Sequence, residues 1–455
     1  MSYTKELASF CAGLTYDSIP PEAAGKARLC LLDYLANIYG SLELEAVRSV
    51  VDYVRSLGGP ETATALGCGF KTGLQNAAFI NGTTAEAIEA QDGLRFGGNH
   101  PVSAVIPAAL AAAELTRANG KKVIEAVVAG YEVANRIAAS MHPHHTLSGF
   151  LPTGTCGSFG AAAAVAKINN YNEVETLDAL SNAGYLLPIS MAEQLMGGYT
   201  VKIVQGGQAA SAGIMAAGLA GSGIAGCPVV LEGSHLNGGF TQITTGSDPN
   251  LDKLTAGLGT HYTINDIYFK PFTACRHAHG AIQAALELVQ KEKMNPNDIE
   301  VINVFTYGVA LMAVGKSVPV GGSFVSAQFS IPYLVAAAIT DGELGPAQIT
   351  EKRIQDQTLI NLANRVSVAI DEDLNNLYPD KTASRVEIKL AGGESFTNLV
   401  ENPKGDPRDP INNDALIKKV KIFAGNREGD MLNRVIGLIM DLENQDNLDE
   451  LLSLI

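Results

Sequence analysis

One ten-residue stretch, Lys270-Pro-Phe-Thr-Ala-Cys-Arg-His-Ala-His279, gathers a lysine, an arginine, two histidines and a thiol. The chain around it is acidic, with 32 lysines and arginines against 47 aspartates and glutamates and a net charge of −15. A cationic cluster on such a chain suits two tasks. Lysine and arginine hold carboxylates, and histidine moves protons near neutral pH. Ile282, Ala284, Leu286 and Val289 follow at helical spacing, so the segment also reads as the entry to an amphipathic helix. His100 precedes Pro101 at the start of another expected helix. Free N–H groups there favour an anion and disfavour imidazolium, which suits a neutral imidazole beside a bound carboxylate. Lys202 lies between Tyr199-Thr-Val and Gly206-Gly207, and its apolar neighbours Val201, Ile203 and Val204 suit a partly buried, functional lysine. His142, His144 and His145 share one segment and read as a solvated loop.

Other chemistries lack their residues. The sequence has no HExxH, P-loop, GxSxG or kinase signature. Its six cysteines, Cys11, Cys30, Cys68, Cys156, Cys227 and Cys275, contain no CxxC pair, and no zinc spacing is present. They read as reduced thiols of a cytoplasmic protein, in keeping with a first segment, MSYTKELASF, that has no signal-peptide pattern. The expected site therefore works through acid–base groups and anion holders, with neither metal nor organic cofactor. The acidic balance argues against a nucleic-acid partner. The longest helical apolar stretch, Pro101 to Ala113, ends in Glu114, short of the roughly 18 residues a membrane span needs.

Elements must position these groups. A chain of 455 residues is too long for one simple core, so two domains are the default. Up to about residue 261 the periodicity predicts helix after helix: from Pro21 toward Gly40, 76–90, Pro101 to Gly120, Lys122 to Met141, 157–168, 174–187 and 207–222. Runs such as GAAAAVAK and QAASAGIMAAGLAGSG place glycine inside helices, at about 1 kcal/mol each relative to alanine. Close helix–helix approach is the expected return. The pattern then changes. Ile299 to Phe305 and Val366 to Ile370 alternate like strands, and Arg385–Leu390 with Ser395–Val400 reads as a hairpin over Ala391-Gly-Gly. The expected fold is mainly α: a large all-helical domain (1–261, resumed at 404–455) with an inserted smaller α+β domain (262–403).

Six segments, in order along nearly the whole chain, resemble the MmgE/PrpD family. They are Asn81-Gly-Thr-Thr-Ala-Glu-Ala-Ile-Glu-Ala-Gln-Asp92, His100-Pro-Val-Ser-Ala-Val-Ile-Pro-Ala-Ala-Leu110, Gly149-Phe-Leu-Pro-Thr-Gly-Thr-Cys-Gly-Ser-Phe-Gly160, Lys270 to His279, Ala327-Gln-Phe-Ser-Ile-Pro-Tyr333 and Gly405-Asp-Pro-Arg-Asp-Pro410. The resemblance implies a helical domain with an α+β lid domain, a homodimer, and cofactor-free handling of a proton α to a carboxylate on a di- or tricarboxylate. It implies catalytic roles for His100, Lys202, Lys270 and His279. Glu89, Asp92, Leu151, Cys275, Arg276 and His277 are the expected substrate-binding positions. Four positions depart from the family pattern. Gly93 stands where a hydroxyl residue is frequent, Leu151 where the motif has histidine, Cys275 where decarboxylase members carry histidine, and Gln328 where lysine is usual. His144 and His145, six to seven residues before Leu151, are the expected substitutes for its missing histidine. Among the family's reactions a dehydratase-type lyase leads. Epimerisation of the iminodisuccinate type and decarboxylation of the cis-aconitate type are alternatives, and a non-catalytic binding or scaffold protein is a third class.

Overall fold

Proline and asparagine mark several helix starts. Pro21 and Pro152 sit in first turns, where a missing N–H costs nothing. Asn119 and Asn172 accept backbone N–H bonds as caps. The computed structural model describes residues 2–236 and 238–455 and is mainly helical. The principal helices of the first half are α1 (Tyr3–Gly13), α2 (Pro21–Ser41), α3 (Glu45–Leu57), α4 (Leu74–Ala87), α5 (Val102–Thr116), α6 (Gly120–Met141), α7 (Pro152–Ile168), α8 (Glu173–Leu186) and α9 (Gln205–Gly221).

The Ala/Gly-rich helices form the centre. α7 is buried along its entire length and α5 along nearly all of it. Their glycines are where backbones meet. A Cβ on Gly207 of α9 would lie 2.1 Å from the carbonyl of Phe79 in α4, and one on Gly82 of α4 would lie 2.6 Å from the Cα of Gly207. The α6/α7 crossing repeats this at Gly130 and Gly160. Alanine fits at none of these contacts.

Two expected helices end early. The one expected over 76–90 stops at Ala87, because Glu89 turns left-handed with φ 55°. The one expected to reach Gly120 stops at Thr116, where Arg117 is left-handed.

The second half carries α10 (His279–Glu292), α11 (Ile331–Asp341), α12 (Asn413–Phe423) and α13 (Gly429–Met440). Two short antiparallel pairs were not anticipated: the hairpin β1 (Ala63–Ala65) with β2 (Phe70–Thr72), and the long-range pair β3 (Gly93–Leu94) with β4 (Ile267–Tyr268). The larger sheet has four strands: β5 (Ile299–Thr306), β6 (Val366–Ile370), β7 (Ser384–Leu390) and β8 (Ser395–Val400). Their order is β6-β5-β7-β8. β5 and β6 run parallel, which their long helix-containing connection permits, and the other pairs are antiparallel. α10 lies against β7 and β8, and α12 returns to pack on α2. Among the described residues no helix is long and apolar enough to cross a membrane.

Candidate functional site

The site begins at the end of α4. A helix leaves its last carbonyls without internal partners. Here side chains from three distant segments take the carbonyls of the turn. Gln328 Nε2 donates to Ala87 O at 2.9 Å, Lys270 Nζ to Glu89 O at 3.4 Å and Lys419 Nζ to Ala90 O at 2.6 Å. Held in this way, Glu89 projects between two lysines. Lys270 Nζ is 2.6 Å from Glu89 Oε1, and Lys202 Nζ donates to Glu89 Oε2. Lys202 also bonds Glu86 Oε1 at 2.8 Å, which accepts from Gln205 Nε2 at 2.6 Å. None of Glu86, Glu89, Lys202 and Lys270 is more than 3% exposed.

Two buried ammoniums thus face two buried carboxylates. Burial opposes the charge on Glu89, but Lys202 and Lys270 hold its carboxyl well below the usual range. Burial likewise opposes the charge on Lys202, and Glu86 and Glu89 hold it above its ordinary value. The lysines are therefore already paired rather than waiting for a substrate anion. Each has three N–H donors and spends two, leaving one to give.

His100 is placed by its own backbone, whose N–H donates to Thr153 Oγ1 at 3.0 Å at the start of α7. Its Nδ1 is 2.5 Å from the carbonyl of Asp92. A carbonyl only accepts, so Nδ1 carries the proton and Nε2 keeps a free lone pair. Burial, with Lys270 nearby, pulls this imidazole down to about 4. It is a neutral base at physiological pH. The Asp92 side chain points away, accepting from Tyr131 Oη at 2.7 Å and from the N–H of Val102 at 3.3 Å. Burial, reinforced by Asp33, pushes its carboxyl up to about 7. Asp33 itself pairs with Lys419 at 2.6 Å, so α2 and α12 brace the turn from behind.

The remaining expected positions are spread around this centre. Cys275 is half-buried, its N–H bonded to Gln328 O at 3.0 Å and its thiol pushed by burial up to about 11. The Arg276 guanidinium donates to the carbonyls of Pro403 and Lys404 and lies 5.0 Å over the Tyr268 ring. His277 Nδ1 meets Tyr307 Oη at 2.6 Å. His279 is fully buried, its Nε2 3.1 Å from Ala274 O and its ring beside Phe272, so its bonding is local to its own turn. Leu151 is partly exposed at the N-terminus of α7, its N–H bonded to Ser190 O at 2.7 Å.

The two histidines expected to replace the one missing at Leu151 are placed differently from each other. His144 is exposed. His145, read as solvated, is 2% exposed between Phe150 and Phe240, with Nε2 2.8 Å from Thr155 Oγ1. Glu86, Gln205, Tyr131, Lys419 and Tyr268 are members that sequence reading missed. Glu86 lies in the last turn of α4, three residues before Glu89, a spacing that could have found it. Lys419 carries no such signal. Among the described residues no group of three or more His, Cys, Asp or Glu is placed to hold a metal ion.

Comparison with known proteins agrees with the order of these segments. Residues 5–252 match the family model described as the MmgE/PrpD N-terminal domain, and residues 272–441 match the MmgE/PrpD C-terminal domain. The chain is similar to a protein named cis-aconitate decarboxylase from Aspergillus terreus (strain NIH 2624 / FGSC A1156). The two are 26% identical over 472 residues, covering 99% of this chain and 95% of that protein. It is also 26% identical to the cis-aconitate decarboxylase-like protein oryM of Aspergillus oryzae (strain ATCC 42149 / RIB 40), over 483 residues, 99% of this chain and 97% of that protein.

Proposed function

Because the chain belongs to the MmgE/PrpD family, we propose that it is an enzyme that removes a proton α to a carboxylate of a di- or tricarboxylic acid, with a dehydratase-type lyase as the leading outcome. The observation that carries this reading is the neutral His100, with Nδ1 spent on a carbonyl and Nε2 free, beside two buried lysines paired with Glu89. The α-proton of a carboxylate is a weak acid, so the negative charge that develops must be met by fixed donors. Nε2 of His100 takes the proton. The remaining N–H groups of Lys202 and Lys270 face the developing enediolate, and Arg276 is the proposed holder of a further carboxylate. Lys270 is the candidate acid on the other side, since His279 is fully buried, bonded within its own turn and held neutral by burial. The C–H electron pair then forms a double bond as a β-hydroxyl leaves with a proton as water.

Decarboxylation is the second reading, favoured by the names of the relatives. It requires a proton to be delivered to the carbon that loses carbon dioxide. Cys275, standing where the decarboxylase members carry histidine, weighs against it, while Leu151, standing where the family's motif has histidine, weighs against dehydration and decarboxylation alike. Epimerisation needs only reprotonation from the opposite face.

Proton NMR in deuterium oxide, with citrate-like, aconitate-like, malate-like and aminosuccinate-like acids, tests the reading. One acid is expected to gain deuterium at its α-carbon, and the product signals name the outcome. No exchange in any acid would make the protein a non-catalytic binding member.

We also propose that 262–403 acts as a lid domain, that the protein works in the cytoplasm, and that it is a homodimer. Tyr185, Ile189, Met191, Met196, Tyr199 and Val201 are all exposed within one segment leading to Lys202, and this apolar surface supports a partner. Light scattering at the mass of one chain would contradict the dimer.

A further inference from the structure

Gly93 and Tyr268 stand opposite each other across the two-residue strands β3 and β4. A Cβ on Gly93 would lie 2.4 Å from Tyr268 Oη, 2.6 Å from its Cζ and 2.8 Å from His100 Nδ1. Real Cβ atoms do not approach so closely, so the absent side chain at 93 is what lets a phenol sit beside the His100 ring. The ring is fixed by burial and by the Arg276 guanidinium over its face. Two residues further along the same strand exit, Lys270 reaches Glu89. No hydrogen bond to a described residue occupies Tyr268 Oη, so its O–H is available. Burial, with Cys275, Glu89 and Asp92 adding to it against the opposing Arg276, raises its pKa and keeps the phenol protonated.

We propose that Tyr268 donates its phenolic O–H to the substrate carboxylate oxygen on which the enediolate charge develops, as the uncharged donor beside His100 and Lys270. This rests on the proton-abstraction reading above. It also gives Gly93 a function: any side chain there would displace the phenol. A neutral donor suits this place. The lysines are already balanced by carboxylates, and a hydrogen bond that tightens as charge develops favours the transition state over the ground state.

Tyr268→Phe removes one oxygen and leaves the ring packing. With circular dichroism unchanged, kcat/KM on the accepted acid is expected to fall about 100-fold, most of it in kcat, the size typical of losing one such donor. Gly93→Ala is expected to lower kcat/KM in either background, because its Cβ would also meet Tyr268 Cζ and His100 Nδ1. Tyr268→Phe within threefold of wild type would overturn the proposal. A wild type that exchanges no α-proton in any acid would overturn the reading of function and the inference with it, whereas exchange by the wild type with Tyr268→Phe equally active would overturn the inference alone.

Discussion

At the scale of single residues, the chemistry rests on pairs rather than on isolated charges. His100, Lys202, Lys270 and Glu89 were legible in the sequence by type and by resemblance. Their pairing was not, because it depends on Glu86 and on a left-handed turn at Glu89. The lysines were expected to hold carboxylates directly and instead share buried glutamates. This changes what a substitution does. Lys270→Ala is expected to lower kcat/KM by about 2.7–4 kcal/mol, as loss of a donor to developing charge does. It should also cost about 3–5 kcal/mol of stability, because Glu89 loses a buried partner. Exposed Lys291→Ala should do neither. Kinetics with denaturant titration on both variants checks this, and an equal effect at the two positions would contradict it. Leu151 gives a prediction about substrate. Leu151 is proposed to line the substrate cleft, where an apolar side chain would leave a substrate hydroxyl unpaired, at about 1–3 kcal/mol. 2-Methylcitrate is therefore expected to be a poor substrate, and Leu151→His to raise its dehydration. Efficient turnover by the unmodified protein would show that Leu151 does not restrict the site.

At the scale of elements, helix identity was legible because apolar periodicity and proline starts are local signals. Helix ends were less so: Ile88-Glu-Ala continues a helical composition, and only Gln328, Lys270 and Lys419 drawing on the freed carbonyls make the turn. The two-residue pair β3/β4 is too short for any periodicity, yet it brings Gly93 to Tyr268 and sets Lys270 in place. The glycine-rich helices were expected to allow close approach, and at Gly82 and Gly207 they do. Gly207→Ala is expected to destabilise by about 1–3 kcal/mol through overpacking and to lower activity by separating Glu86 from Lys202. Denaturant unfolding would show it, and an unchanged midpoint would mean that α4 and α9 can part freely. Lys419→Met should lower activity although the residue sits on α12, since it frees the Ala90 carbonyl and strands Asp33. Activity equal to wild type would show that the turn needs no brace from behind.

At the scale of the whole molecule, the helical character and the four-stranded sheet at 299–400 were legible, whereas the return of α12 onto α2 was visible only as a resumption of helix. Burial has a collective consequence for acid stability. His100, His142, His145 and His277 are each pulled down to about 4 by burial, and His279 lower still. Unfolded, they titrate near 6.5. Histidines held neutral in the native state stabilise it above pH 6.5, and this stability is lost as pH falls toward 4. Asp92 acts in the opposite sense: its raised pKa favours the fold below about 4 and is lost as pH rises through about 7. Near pH 5 these five histidines outweigh Asp92, so unfolding should take up protons and stability should fall as the pH falls. Denaturant titrations from pH 7 to 4.5 measure it, and a flat profile would mean that these histidines are not held neutral. The central claim is that neutral His100 takes the α-proton while the paired lysines meet the charge. Its most direct test is the rate of deuterium incorporation into the accepted acid, by wild type and His100→Gln, from pH 4 to 8. The expected result is a wild-type rate level above about pH 5 and falling near 4, with His100→Gln slower by about 10²–10⁴-fold. Exchange by His100→Gln at the wild-type rate, or a wild-type midpoint at 6.5, would contradict it.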